Sequence, residues 1–120
     1  MTKEKILLVE DCPVTRMLYE FTLKQNGYEV ICCNCGQEAL KSLNENLPHI
    51  ILTDWEMPPG INGCEMISVI RKAGNKDLPI ILMTAAKILP SKSNCDATAM
   101  FRKDQGPEKA TELIKKLIYH

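Results

Sequence analysis

The sequence predicts an α/β fold: a single doubly wound, five-stranded parallel sheet with helices on both faces. Two observations lead to this prediction. Short apolar runs bounded by polar or turn residues alternate with segments whose apolar residues recur at helical spacing. Parallel strands joined by helices need right-handed crossovers, which cover both faces of the sheet. We predict the flavodoxin-like strand order 2-1-3-4-5, because it makes the strands that end in acidic residues neighbours.

The first half of the chain predicts three strands and two helices. Apolar runs at 6–9, 30–33 and 50–53 are too short for helices and are typical of buried strands. Pro13 suits the first turn of a helix, and Gly27 ends that helix. Four apolar residues recur at helical spacing within it: Val14, Met17, Leu18 and Phe21. A second helix over 38–47 would turn four apolar residues inward: Ala39, Leu40, Leu43 and Leu47.

The second half continues the alternation and completes five βα repeats. A helix is predicted over 63–73, closed by Gly74, with Met66, Ile67 and Ile70 inward. Strands follow at 79–84 and 97–103, and Pro107 opens the last helix. The inward residues of this helix would be Ala110, Leu113, Ile114, Leu117 and Ile118. The helix between the two strands is expected to be short, shifted or mobile, because residues 90–94 include proline, serine and asparagine.

Length and composition indicate one ordinary globular domain spanning residues 1–120. The chain is 45% hydrophobic and 25% charged, with 15 acidic and 15 basic residues. Zero net charge gives no electrostatic footprint for nucleic acid or for a membrane surface. No apolar run approaches the roughly 20 residues that span a bilayer, and residues 1–5 show no signal-peptide pattern. We therefore expect a cytoplasmic protein that binds neither nucleic acid nor membrane directly.

The chain contains six cysteines: Cys12, Cys32, Cys33, Cys35, Cys64 and Cys95. Without a secretory signal we expect them to be reduced and to act as small structural residues. The run at 32–35 resembles a metal-binding tract, but no complementary ligand pair lies elsewhere in the sequence. Zinc binding and redox sensing remain the alternatives.

Acidic residues end two of the predicted strands. Glu10 and Asp11 follow the first strand, and Asp54 ends the third. Because the carboxyl ends of parallel strands share one edge of the sheet, these three carboxylates should converge. Converging like charges need a counter-charge, and oxygen ligands suit Mg²⁺. The sequence therefore predicts a magnesium site at this edge.

Two later strand ends add a hydroxyl, Thr84, and an ammonium group, Lys103. The complete set suits phosphoryl transfer onto a carboxylate, with Asp54 as the nucleophile. The cation and Lys103 would neutralise phosphoryl oxygens, and Thr84 could donate a hydrogen bond to another. Simpler interpretations exist for each residue taken alone: Asp54 as a helix cap, Thr84 as a partner of the backbone, Lys103 as a surface lysine.

Together these residues resemble the receiver domain of two-component response regulators. The matching motifs, in chain order, are Val9-Glu10-Asp11, Asp54 with Met57-Pro58, Gly63, Thr84-Ala85 and Lys103, and the resemblance extends from Lys5 to about Ile118. It implies that Asp54 accepts a phosphoryl group from the phosphohistidine of a histidine kinase or phosphotransfer protein. It also implies that Glu10, Asp11, Asp54 and the Glu56 backbone carbonyl bind Mg²⁺ or Mn²⁺.

The resemblance further implies a switch. Thr84, Ala85 and Lys103 would bind the phosphoryl group and pass the change to a surface that contacts a downstream protein target. Phosphorylation could also be linked to formation of a homodimer. Such a protein is not an enzyme; it takes part only in its own phosphorylation and dephosphorylation.

Two departures from the family pattern lie near Lys103. The usual proline after the lysine is replaced by Asp104, so we predict a trans bond, because a cis bond before a non-proline residue costs about 2.5–4 kcal/mol. The usual aromatic switch position, three residues before the lysine, holds Met100. Phe101 is aromatic but should face the opposite side of the sheet.

Two alternatives remain open. The first is a pseudo-receiver that acts as a phosphorylation-independent protein-interaction module. The second is a flavodoxin or an aspartate-nucleophile phosphatase of the same fold class. The loop at 11–15 is acidic and contains a proline, unlike a flavodoxin phosphate loop, and Asp54-Trp55-Glu56 only approximates the Asp-x-Asp motif of such phosphatases.

Overall fold

A computed structural model describes residues 3–119 of the chain. Within them, five parallel strands form one sheet in the order β2-β1-β3-β4-β5. The strands are β1 (Lys5–Val9), β2 (Glu29–Cys33), β3 (Ile50–Asp54), β4 (Ile80–Thr84) and β5 (Ala99–Arg102). The predicted fold class and strand order are confirmed. The predicted domain spans residues 1–120, of which residues 1, 2 and 120 lie outside the described part of the chain. Residues 1 and 2 also begin the segment in which no signal-peptide pattern was found.

Helices cover both faces of the sheet. They are α1 (Pro13–Gln25), α2 (Gly36–Glu45), α3 (Gly63–Lys72) and α4 (Gly106–Ile118), and a 3₁₀ turn covers Lys103–Gln105. Helices α1 and α4 pack together on one face, and α2 and α3 pack together on the other. Alternate strand residues supply each core: Leu7 and Ile51 join the α2–α3 side, whereas Leu8 and Leu52 join the α1–α4 side. Within residues 3–119, no helix is both long enough and apolar enough to cross a membrane.

The apolar faces of α3 and α4 agree with the prediction, but that of α1 does not pack on the sheet. Met66, Ile67 and Ile70 of α3 are buried. The predicted apolar stripe of α1 is exposed: Val14 76%, Met17 67%, Leu18 51% and Phe21 61%. Tyr19 and Leu23 face the core instead. Leu47 is also exposed, because α2 ends at Glu45.

The predicted helix between β4 and β5 is absent, so the expectation of five βα repeats was wrong at this point. Residues 85–98 form bends and turns. Proline and three poor helix formers lie at 90–94. The end of the segment is also fixed from outside, because the Arg71 guanidinium donates to the carbonyl oxygen of Asp96 at 3.2 Å and to Thr98 Oγ1 at 3.3 Å. A helix there would lose these contacts.

Candidate functional site

Three carboxylates meet where β1 and β3 end. Suitable oxygen atoms of Glu10, Asp11 and Asp54 all lie within 4.8 Å of one another. Residues of β1 and β3 pair side by side, with Val9 opposite Thr53, so the acidic residues after each strand become neighbours. Glu10 is fully buried, Asp54 is 5% exposed and Asp11 is exposed. The structure therefore brings together the three acids that the sequence predicted to converge.

Lys103 reaches the same point from the end of β5. Its Nζ lies 2.7 Å from Glu10 Oε2 and 3.1 Å from Asp54 Oδ2. Its side chain is only 20% exposed. The interpretation of Lys103 as a surface lysine is therefore wrong: it is a partly buried counter-charge for two buried carboxylates.

Burial and charge act against each other in this cluster. Burial raises the pKa of both Glu10 and Asp54, and the neighbouring Lys103 ammonium only partly reverses that rise. Burial alone would lower the pKa of Lys103, but Glu10 and Asp54 outweigh it and raise the pKa. One lysine therefore does not fully offset the cost of burying the negative charges of Glu10 and Asp54.

The residues present fit a hard divalent cation. Glu10 Oε2 is buried and receives no directed hydrogen bond within residues 3–119; its polar contact is the ion pair with Lys103. The other oxygen atom, Oε1, accepts from the Cys12 N–H at 3.1 Å. Asp54 likewise uses one oxygen locally, because Oδ1 accepts from the Trp55 N–H at 2.9 Å. Each acid thus keeps one oxygen facing the cluster, and an all-oxygen set is what Mg²⁺ prefers.

Thr84 lies at the end of β4 and is 1% exposed. Its Oγ1 accepts a hydrogen bond from the Ala86 N–H at 3.0 Å, which leaves the hydroxyl proton free to donate. Ala85 follows directly and is exposed. Thr84 therefore does satisfy a backbone N–H group, as the simpler interpretation expected. The same hydroxyl group can still donate a second hydrogen bond to another acceptor.

The remaining predicted positions lie beside the cluster. Glu56 follows Asp54 by two residues in an exposed loop, and its carbonyl remains a predicted ligand. Met100 is partly buried on the α2–α3 side, whereas Phe101 is 2% exposed on the α1–α4 side. The opposite orientation of these two side chains was predicted from strand alternation. Among residues 3–119 the cis peptide bond is Pro58–Pro59, so Lys103–Asp104 is trans, as predicted.

Three further residues shape the site, and sequence reasoning missed two of them, Arg16 and Tyr19. Arg16 Nη1 donates to the Glu10 carbonyl oxygen at 2.9 Å and so fixes the end of β1. Tyr19 has a buried hydroxyl without a partner within the described residues, and burial followed by the Glu10 charge raises its pKa to about 12. A Cβ at Gly63 would collide with the Asp54 carbonyl oxygen. Only Gly63 carried a sequence signal, through its family motif.

The cysteine prediction needs a correction. Cys64 and Cys95, which are 31 positions apart in sequence, form a disulfide with Cα atoms 5.0 Å apart. The expectation that all six are reduced was wrong, because the fold brings these two sulfur atoms together. Cys12, Cys32, Cys33 and Cys35 are free thiols, and Cys33 is buried.

Comparisons with known proteins agree with the geometry. The family model "Response regulator receiver domain" matches residues 6–116. The chemotaxis response regulator CheY4 of Vibrio cholerae is 28% identical with a TM-score of 0.86, over 97% of this chain and 99% of that one. The response regulator TrrA of Thermotoga maritima, solved in complex with Mg²⁺-BeF, is 35% identical with a TM-score of 0.83, over 95% of this chain and 98% of that one.

A curated relative is the phosphate regulon transcriptional regulatory protein PhoB of Klebsiella pneumoniae, 37% identical over 68 residues, which are 57% of this chain and 29% of that protein. The chain spans between 6% and 30% of the length of four curated relatives that it matches. Because the family model covers most of the chain, and the sheet order and neighbouring structures agree with it, this chain belongs to the response regulator receiver domain family of two-component signal transduction.

Proposed function

We propose that this protein accepts a phosphoryl group on Asp54 from the phosphohistidine of a histidine kinase or phosphotransfer protein, in a reaction that needs Mg²⁺ or Mn²⁺. The observation that carries the proposal is the position of Lys103 Nζ between Glu10 Oε2 and Asp54 Oδ2. A nucleophilic carboxylate, a pair of metal-binding acids and a positively charged group then share one sheet edge. This is the combination that phosphoryl transfer to a carboxylate requires.

Asp54 Oδ2 is the proposed nucleophile. Its partner oxygen Oδ1 is held by the Trp55 N–H at 2.9 Å, which orients the carboxylate. Oδ2 forms the new bond to phosphorus while the bond between phosphorus and the donor histidine nitrogen breaks, and the electron pair leaves with the imidazole. Glu10, Asp11, Asp54 and the Glu56 carbonyl would hold the cation, which supplies positive charge to the phosphoryl oxygens.

Lys103 and Thr84 would respond to the new charge. Lys103 Nζ exchanges a carboxylate partner for a phosphoryl oxygen and stays charged throughout. The free hydroxyl proton of Thr84 can donate to a second oxygen, because Oγ1 already accepts from the Ala86 N–H. Thr84 is continuous with segment 85–98, which lacks a helix. Movement at Thr84 and Ala85 would therefore reach that segment, and Met100 could repack beside it.

We infer that residues 1–120 act as one receiver domain in the cytoplasm, without an enzymatic activity on other substrates. Its partners would be a phosphoryl donor and a downstream protein, with a phosphorylation-linked homodimer as a further assembly. Zero net charge gives the chain itself no footprint for nucleic acid or membrane.

A direct test uses a phosphorylated histidine phosphotransfer domain as donor. Its label should pass to the wild type in the presence of Mg²⁺ and should not pass to Asp54→Asn. Asp104→Asn is a suitable control, because that carboxylate is exposed and pairs with Arg102 at 3.4 Å outside the cluster. Transfer to Asp54→Asn at the wild-type rate would contradict the proposed role of Asp54.

One observation favours the pseudo-receiver as a second candidate. Lys103 already contacts two of the three acids, so the cluster has a counter-charge without any metal. In that case Lys103 would stay paired with Glu10 and Asp54 and would only stabilise the fold. The phosphorylated histidine phosphotransfer domain would then label neither the wild type nor Asp104→Asn.

A further inference from the structure

We propose that the Cys64–Cys95 disulfide is a reversible redox site that exchanges with a protein dithiol, and that its state controls the freedom of residues 85–94. The proposal does not depend on phosphorylation of Asp54. It concerns a covalent link between two parts of the fold that the sequence leaves separate.

The disulfide joins the segments that follow two neighbouring strands. Cys64 is the second residue of α3, directly after Gly63, whose N–H donates to the Trp55 carbonyl oxygen at 2.6 Å. Cys95 lies in segment 85–98, which follows β4. The bond therefore connects the first turn of α3, which follows the loop beside Asp54, with the segment that begins beside Thr84.

The C-terminal part of that segment has other attachments. Arg71 donates to the Asp96 carbonyl oxygen and to Thr98 Oγ1, both within 3.3 Å, and Lys92 Nζ donates to the Ala97 carbonyl oxygen at 3.0 Å. The Thr98 N–H donates to the Ile80 carbonyl oxygen at 2.7 Å. The contacts of Arg71 and of the Thr98 N–H involve no residue of 85–94 and remain when the disulfide opens, so β5 should stay in place.

The N-terminal part depends much more on the disulfide. Ile88 is 81% exposed and Leu89 is 38% exposed, so the segment has little apolar anchoring there. Its backbone hydrogen bonds are local, as between the Asn94 N–H and the Ser91 carbonyl oxygen at 3.0 Å, and its link to the C-terminal part is the Lys92 side chain, which donates to the Ala97 and Thr98 carbonyl oxygens. A backbone with few buried contacts opens easily. Cleavage of the covalent link at Cys95 should therefore loosen 85–94 selectively.

The two cysteines differ in exposure. Cys95 is 2% exposed, whereas Cys64 is half-buried and lines a groove of about 460 Å³ together with Trp55, Ser68 and Pro90. Both cysteines line a smaller groove of about 230 Å³. An incoming thiolate would approach the more exposed Cys64 from the larger groove. Cys64 is therefore the expected site of attack, with Cys95 as the leaving group.

The exchange balances with a dithiol protein as reductant. Its thiolate forms a mixed disulfide with Cys64 while the Cys64–Cys95 bond breaks, and the Cys95 thiolate takes up a proton. The second thiol of the reductant then attacks the mixed disulfide and releases Cys64, so two electrons pass to this chain and the reductant becomes a disulfide. A protein disulfide reverses both steps. In the reducing compartment expected for this chain, such bonds are generally transient and redox-sensing.

The test begins with a thiol count on the wild type. After treatment with an oxidised dithiol protein, alkylation and mass analysis should find four free thiols, and after the reduced dithiol protein they should find six. Hydrogen exchange of the backbone amides at 85–94 should then be about tenfold faster or more in the reduced form, with 96–102 changed less than about twofold.

Cysteine variants distinguish the effect of losing the Cys64–Cys95 disulfide from other effects of the reductant on the protein. Cys64→Ser and, as a second route, Cys95→Ala should show fast exchange at 85–94 in both redox states. Cys35→Ser should respond like the wild type, because Cys35 is a free thiol. Six free thiols after oxidant treatment, a bond that the dithiol protein fails to reduce, or unchanged exchange at 85–94 would each overturn the proposal.

Discussion

Lys103 Nζ lies 2.7 Å from Glu10 Oε2, closer than its 3.1 Å distance from Asp54 Oδ2. The lysine at the end of β5 is therefore bound to the oxygen that a cation in this cluster would also need. Without metal, Lys103 provides the positive charge that the buried acids require. We expect Lys103 and Mg²⁺ to compete for Glu10, and phosphorylation of Asp54 to give the displaced ammonium a new partner.

Lys103→Ala should destabilise the metal-free protein and tighten Mg²⁺ binding. Removing the ammonium leaves two buried carboxylates uncompensated, at a cost of about 1–3 kcal/mol because the lysine keeps some contact with solvent. The same change removes the competitor for Glu10. Urea unfolding and Mg²⁺ titration of the fluorescence of Trp55, the one tryptophan in the chain, measure the two effects. Lys87→Ala is the control, and equal behaviour of both variants would contradict the counter-charge role.

Asp54→Asn should stabilise the metal-free protein at neutral pH, because it removes a buried negative charge that Lys103 shares with Glu10. Burial raises the pKa of Asp54 above its usual value of 3.8. Such a group stabilises the fold fully below the unfolded pKa, and this stability is lost as pH rises through the folded pKa. The advantage of the variant should therefore be small at pH 3.5 and grow as pH increases. Chemical unfolding across pH, with exposed Asp104→Asn as the control, measures it; an advantage that shrinks with rising pH would refute the assignment.

Thr84→Ala and Thr84→Ser should behave differently. The alanine variant leaves the Ala86 N–H without its acceptor and should lose about 1 kcal/mol of stability, whereas serine keeps the hydroxyl. Addition of beryllium fluoride with Mg²⁺ should shift the amide resonances of residues 85 and 86 in the wild type and Thr84→Ser but much less in Thr84→Ala. An equal response in all three proteins would show that the hydroxyl does not transmit the change.

Three of the four free thiols should react in a defined order. Cys12 is exposed, and hydrogen bonds from Thr15 lower its pKa. Burial raises the pKa of Cys32 and Cys33 to about 11. Iodoacetamide at pH 7.5 should therefore modify Cys12 before Cys32, and Cys33 last. A time course with peptide mapping gives the order, and modification of Cys33 before Cys12 in the folded protein would contradict the burial described here.

Much of the fold could be predicted because local signals agreed with the tertiary structure. The apolar runs ending at Val9, Asp54 and Thr84 became central strands, and Pro13 begins a helix. The α1 stripe shows the limit of such reasoning. Helical spacing identified the helix, but Val14 and Phe21 face solvent, because packing against α4 and the sheet selects Tyr19 and Leu23.

The site was partly predictable for the same reason. Convergence of Glu10, Asp11 and Asp54 follows from strand order and register, which apolar runs can indicate. The disulfide between Cys64 and Cys95 could not be predicted, because it depends on the path of a segment without regular structure. The contacts of Arg71 with residues 96 and 98 could not be predicted either, because they also depend on the path of that segment.

The most direct test of the central claim is the intact mass of the protein after incubation with acetyl phosphate. With Mg²⁺, the wild type should gain the mass of one phosphoryl group, and the gain should disappear in excess chelator and in Asp54→Asn. Asp104→Asn should be modified like the wild type. A mass gain that persists in Asp54→Asn, or that is unchanged by the chelator, would contradict the assignment of Asp54 as the metal-dependent phosphoryl acceptor.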